Sequence, residues 1–232
     1  EMVGVALDEA KRQEMELHLY DEYPYPSGIA GGAVVQGDPE FLATELVQQT
    51  FDCDGGPLRL ELPAGRVLCC TAYPVDDAGS VRWDAPCDLR SAVGMVLTAE
   101  SYNETGLTSY NRKRYFASRP KPVVEADLPA GRWRVHASTQ VRVQTHKYWT
   151  DFVDVLNPEA VRRFIDLTHA EYYRRFGEEF GKAIPSIFTD ETTPHWSTRL
   201  PAEFRVRRGY DLLPLLPALH DPAHPEHLRV AR

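Results

Sequence analysis

Several common signatures are missing from this 232-residue chain. No apolar run approaches the roughly 18 residues needed to cross a bilayer, so a helical membrane protein is not expected. The N-terminus, Glu1-Met2-Val3-Gly4-Val5, has no basic stretch followed by an apolar core; no secretory signal is visible, which favours the cytoplasm only slightly and leaves the compartment open. No strand is followed by G-x-S-x-G, a phosphate-binding P-loop or G-x-G-x-x-G, which leaves serine-hydrolase and nucleotide chemistry unsupported. Cysteine is scarce: Cys53, Cys69, Cys70 and Cys87 include no C-x-x-C pair and are read as reduced. Positive charge is also in deficit. Lys and Arg number 26 against 34 Asp and Glu, and the net charge of −8 argues against a nucleic-acid or anionic-membrane partner. The one basic run, Arg112-Lys113-Arg114, reads as a solvated loop.

What is present is a core-forming composition, 43% apolar, with 18 prolines that make a simple helical bundle unsuitable. Val3 to Gln13 has helical spacing, and Glu16-Leu17-His18-Leu19-Tyr20 alternates as a strand does before the turn-rich run Asp21 to Gly28. Asp38 followed by Pro39 has the form of a helix N-cap and first position, predicting a helix to about Gln49. From Phe51 to about Gly131 the texture becomes that of antiparallel β structure. Leu62-Pro63-Ala64-Gly65-Arg66 returns as Leu128-Pro129-Ala130-Gly131-Arg132, each copy leading into an extended segment; hairpin chemistry is preferred to duplication as the source of the repeat. Trp133 to Val143 reads as a further strand. Asn157-Pro158 then opens a helix, Gly177 closes it, and Ile184 to Phe188 forms a short strand before a last helix at about Pro201 to His220, broken at Gly209 and Pro214. The implied division is 1–50, an inserted β-rich segment 51–131, and 132–232.

Strands alternating with helices imply a parallel sheet, either doubly wound or a (β/α) barrel, and in both the ligand sits at the C-terminal strand ends. Three such ends are rich in acids and aromatics. The first candidate is Asp190-Glu191, delivered by the apolar strand and followed by His195 and Trp196. Glu191, if half-buried beside Trp196, has the environment of a general acid, with Asp190 orienting it or binding a sugar hydroxyl. The second is Asp21-Glu22 with Tyr23, Tyr25 and Ser27-Gly28, because glycoside cleavage needs two carboxylates facing one cleft. The third is His146, Tyr148, Trp149 and Asp151, read as subsite walls, since aromatic faces stack on sugar rings while rims need hydrogen bonds. Each has a plainer reading as caps, turns or core; for Asn157 the capping role is preferred. His220, Asp221, His224 and His227 have metal-like spacing, but in a Pro-rich segment without cysteine no zinc site is expected. Calcium among the loop carboxylates is left open, although no loop has EF-hand spacing.

At these residues a resemblance enters. Tyr20-Asp21-Glu22 through Pro26-Ser27-Gly28 to Ala30-Gly31-Gly32 resembles a segment of large bacterial glycoside hydrolases grouped with the α-L-rhamnosidases of family 106. Leu128 to Val135, Asp154 to Ala160, Ser186 to Glu191, and Gly209-Tyr210-Asp211-Leu212 with Leu216 to Leu219 are similar to that group in the same order. The resemblance implies a TIM-type barrel, partial here and carrying an antiparallel β insertion, and it implies hydrolysis of a carbohydrate substrate. It makes Glu191 the best candidate acid or base and puts Asp21 and Glu22 in the other acidic loop. The alternative is a carbohydrate-binding or structural fragment of such an enzyme, with no turnover of its own.

Overall fold

The computed structural model describes residues 2–23, 25–104, 113–143 and 151–232. His146, Tyr148 and Trp149 lie outside them. The chain divides into two compact units, one built from 1–45 and 142–200 and the other from 46–141 and 201–232.

The second unit is dominated by antiparallel sheet. Its strands are β2 (Thr44–Glu61), β3 (Arg66–Val75), β4 (Cys87–Asp88), β5 (Val93–Glu104) and β6 (Lys113–Arg142), in the order β2-β6-β3-β4 with β5 also on β6. Two-residue alternation explains the arrangement: one face of each strand is apolar and must find a partner face. The 30-residue β6 serves two neighbours in turn, β5 from Val93↔Val124 to Glu104↔Lys113 and β3 from Val75↔Arg132 to Arg66↔Gln140. Between these stretches lies Pro129-Ala130-Gly131, with Gly131 at φ 136°, and there β2 comes so close that a Cβ on Gly55 would sit 2.1 Å from the Pro129 carbonyl oxygen. Both halves of β6 therefore feed one core, in which Val124 and Leu128 join Trp133, Val135 and Ala137, with Leu58 and Leu62 from β2 and its end and Cys70 and Ala72 from β3. Cys70 enters this core and its neighbour Cys69 faces the other way, as adjacent strand residues must; all four cysteines are free thiols. Helices α4 (Leu200–Arg208), α5 (Leu216–His220) and α6 (His227–Val230) follow, with the chain reversing at Gly209.

The first unit holds α1 (Met2–Arg12), α2 (Pro158–Leu167), α3 (His169–Phe176) and a short parallel pair, β1 (Leu19–Tyr20) with β7 (Ile187–Phe188). Among the described residues its apolar packing includes one cluster with Leu7, Leu19 and Ile184 and another with Val34, Phe41, Phe152, Val153 and Phe164. Asn157 caps α2 as expected: its side chain accepts from the Glu159 amide at 3.1 Å and donates to the Glu40 carbonyl at 3.1 Å.

The barrel expectation is overturned. Among the described residues the named strands are mainly antiparallel, β1 with β7 is a parallel pair of two residues each, and no barrel closes. The stretch expected to be a barrel strand, Trp133 to Val143, has its hydrogen-bonding edge taken by β3 running antiparallel. The helix expected from Pro39 to Gln49 is also absent. Asp38 does cap, accepting from the Glu40 amide at 3.0 Å, but the turn is 3-10 and ends at Phe41, because from Thr44 onward the chain pairs as β2. Nor is the antiparallel sheet an insertion in a barrel, since it extends from Thr44 to Arg142 as the main β structure of the molecule.

Candidate active site

The parallel pair of the first unit places the acids. Its ladder extends beyond the two paired residues, with Leu17 N donating to the Ala183 carbonyl (2.8 Å), Leu19 N to Ser186 (3.1 Å) and Asp21 N to Phe188 (3.2 Å). Side chains alternate along both chains. On the inward side Leu19 packs in the core, and Asp21 and Thr189 meet. On the outward side Tyr20 lies against Phe188, ring centroids 5.3 Å apart, and its hydroxyl contacts the carboxylates of both Glu22 and Asp190. The alternation thus splits the first acidic pair, Asp21 inward and Glu22 outward, and turns Asp190 outward beside Glu22.

Asp21 is the buried member, 4% exposed, and it accepts three hydrogen bonds: from Ser27 Oγ at 2.5 Å, Thr189 Oγ1 at 2.7 Å and His169 Nε2 at 2.7 Å. A carboxylate so far from water needs this much pairing. Ser27 also ties the two strand ends together, since its amide donates to the Asp190 carbonyl (3.1 Å) and its hydroxyl accepts from the Asp190 amide (2.9 Å). His169 reaches Asp21 because the helix breaks at Thr168, where φ −121° and ψ −81° separate α2 from α3; the ring edge of His169 rests on Phe164 with centroids 5.5 Å apart.

Glu22 and Asp190 are half-buried, and Glu191 is exposed. The half-buried setting beside Trp196 expected for Glu191 is thus not found. Instead the Tyr25 hydroxyl donates to Glu191 Oε2. Glu191 has φ 36°, a left-handed conformation that non-glycine residues rarely adopt and that clusters at functional positions. The two phenols are held in their neutral, donating form. The Asp190 carboxylate first, then Glu22, pushes the Tyr20 phenol well above the usual range, and the Glu191 carboxylate pushes Tyr25 up to about 12.

Tyr23 stands 72% exposed, its backbone carbonyl accepting from the Gly31 amide. A Cβ on Gly31 would lie 2.6 Å from the Tyr23 ring, so only glycine lets the ring settle there. Ile29, Gly31 and Gly32 of the same loop line a groove of about 820 Å³ together with Asp151, which is ion-paired with Arg142. His195 and Trp196 are half-buried. His195 faces the Phe152 ring (6.1 Å), the Trp196 carbonyl accepts from Thr44 Oγ1 (2.7 Å), and among the described residues no hydrogen bond or ion pair joins either to the four carboxylates. Ser27 belongs to the Asp21-Glu22 loop already singled out, whereas Thr189 and His169 are additions of the structure; for Thr189 the signal is the two-residue period along its strand, and for His169 a local helix pattern carries none.

Among the described residues no group of three or more His, Cys, Asp or Glu side chains is arranged to hold a metal ion, and no helix is long and apolar enough to cross a membrane. Residues 126–222, less than half of the chain, match the family model described as alpha-L-rhamnosidase, glycoside hydrolase family 106. This region is related to family 106; it contains β7, Asp190 and Glu191, and excludes Asp21 and Glu22. No curated protein matches the sequence.

Proposed function

We propose that the first unit cleaves O-glycosidic bonds, with an α-L-rhamnoside as the first substrate to try. The observation that carries this reading is the convergence of Glu22, Asp190 and Glu191 at the open ends of two adjacent parallel strands, one of them inside the family-106-related region. In this reading Glu191 gives its proton to the glycosidic oxygen as the bond to the anomeric carbon breaks. Tyr25 occupies Oε2 and leaves Oε1 for that proton. Glu22 is the opposing carboxylate, either activating water for inversion or attacking the carbon for retention. Asp190, on the same tyrosine hydroxyl as Glu22, orients it. Asp21 is a positioning residue, fully engaged beneath. Tyr23 offers a platform, and the groove lined by Asp151 offers room for a neighbouring sugar unit.

The test is release of nitrophenol from a panel of aryl glycosides, α-L-rhamnoside included, by the chain and its Glu191→Gln variant. Turnover that falls by about 10²–10⁴-fold in the variant supports the assignment. Activity within about tenfold of the parent sinks Glu191 as the acid. Binding without any turnover by either protein favours the second reading, a carbohydrate-binding unit, for which the exposed Tyr23 platform is the supporting observation.

A further inference from the structure

The second unit has a cavity of its own, about 440 Å³, that the proposed catalysis does not use. One wall is the outward face of β3, carrying Thr71 and Tyr73, and the facing wall is the turn Leu213-Pro214-Leu215. Trp83 stands between aromatic neighbours, its ring centroid 4.9 Å from Tyr73 and 4.6 Å from His224. Polar groups are few: the Asp88–Arg90 fork, closed at 2.6 Å, with Glu226 and His224. The His224 ring accepts from the Glu226 amide at Nδ1 (3.1 Å), which leaves Nε2 as a donor. Beside the cavity, His136 lies 5.5 Å from Trp83, is 2% exposed, and its Nε2 has no hydrogen-bond partner among the described residues. A buried polar atom left without a partner is uncommon and calls for a functional account.

We infer that this cavity is a second ligand site that takes a neutral pyranose sugar, separate from the carboxylate cluster of the first unit. Its size lies in the roughly 300–1,000 Å³ range of small-molecule sites, and aromatic and aliphatic walls with a few converging polar groups are what such sites share. Trp83, half-buried at the wall and backed by Tyr73, suits the C–H face of a pyranose, while Asp88, Arg90, Glu226 and His224 offer donors and acceptors to its hydroxyls. Charge decides against anions such as phosphates: the wall holds two carboxylates and one guanidinium, and that guanidinium is already paired. The inference does not depend on turnover, so a chain that cleaves nothing still tests it.

The experiment follows the indole N–H resonances of the four tryptophans while methyl glycosides of L-rhamnose, D-glucose and D-galactose are added in turn. The Trp83 peak is assigned by its loss in Trp83→Phe, and the other indole peaks staying in place show that this variant folds. The expected result is a saturable shift of the Trp83 peak with at least one sugar, with a Kd on the order of 1 mM for a ligand of this size. Arg90→Gln, an exposed change, should weaken it about fivefold or more. No saturable shift of Trp83 up to about 50 mM overturns the inference. So does an equally tight response to cyclohexanol, which would make the cavity an apolar pocket, or a shift insensitive to Arg90→Gln.

Discussion

The two units solve the same problem in different ways. The second has long strands, and it gathers an apolar core from both halves of β6. The first has two-residue strands and small apolar clusters, and it ties its strand ends with hydroxyls, a histidine and a buried carboxylate. Where strands run for ten residues or more, a shared apolar core can specify the register. Where they run for two, polar pairing has to specify it, and the groups that do so lie beside those available for chemistry. The same residue class therefore has opposite meanings in one unit: Asp21 is consumed by its neighbours, and Glu191 is left open.

Changes aimed at each unit should break along this line. The largest loss of stability is expected for Leu62→Ala in the second unit, where a side chain 1% exposed is removed from the main core. A cost of about 2–5 kcal/mol, read from urea unfolding, is the expected range; a loss below about 1 kcal/mol would mean that the core is not where the sheet is held. Next comes an acid sensitivity of the same unit. Burial lowers the His136 pKa to about 4, and at 3.9 Å the Asp221 carboxylate is too far to hydrogen-bond it. The unfolded chain, with an ordinary histidine near 6.5, binds a proton more readily, so this contribution is fully present above about 6.5 and is lost as pH falls towards 4. About 3 kcal/mol is at stake across that window. His136→Phe should flatten the pH dependence of unfolding there, and an unchanged slope would refute the assignment.

In the first unit, Asp21→Asn keeps the shape of the side chain and removes the charge that Ser27, Thr189 and His169 address. Roughly 2 kcal/mol of stability should go with it, together with a fall in kcat, since the loop bearing Tyr23 and Tyr25 is tied to β7 through Ser27. A variant with unchanged unfolding midpoint and unchanged kcat would show that the cluster positions nothing. The smallest effect is expected for Arg59→Gln, which breaks an exposed pair with Glu125; it should shift stability by no more than about 1 kcal/mol.

Legibility in the sequence followed the same division. Local signals with their own physics were readable: the Asn157-Pro158 cap, the stop near Gly177, the reversal at Gly209, and the two acidic strand ends that lie side by side on β1 and β7. Signals that depend on a distant partner were not. Asp38-Pro39 carries the same cap chemistry as Asn157-Pro158, yet the chain after it is claimed by sheet pairing, which no local pattern announces. Pro129-Ala130-Gly131 reads as a hairpin turn and is instead a bend within β6, because β5 and β3 pair with its two halves. The order of elements implies a parallel sheet and the family resemblance a barrel, but the hydrogen bonds run to antiparallel neighbours. His169 was invisible as a site residue because helical periodicity runs through Thr168, where the backbone breaks.

The central claim is that Glu191 donates a proton to the leaving group. It is tested most directly by comparing kcat/KM, which reads the bond-cleavage step whether the enzyme inverts or retains, for parent and Glu191→Gln on two aryl α-L-rhamnosides of different leaving-group acidity. The account predicts a loss of about 10²–10⁴-fold with a poor leaving group such as methylumbelliferone. With dinitrophenol, which departs without protonation, the loss should be far smaller. An equal loss on both substrates, or none on either, would contradict it.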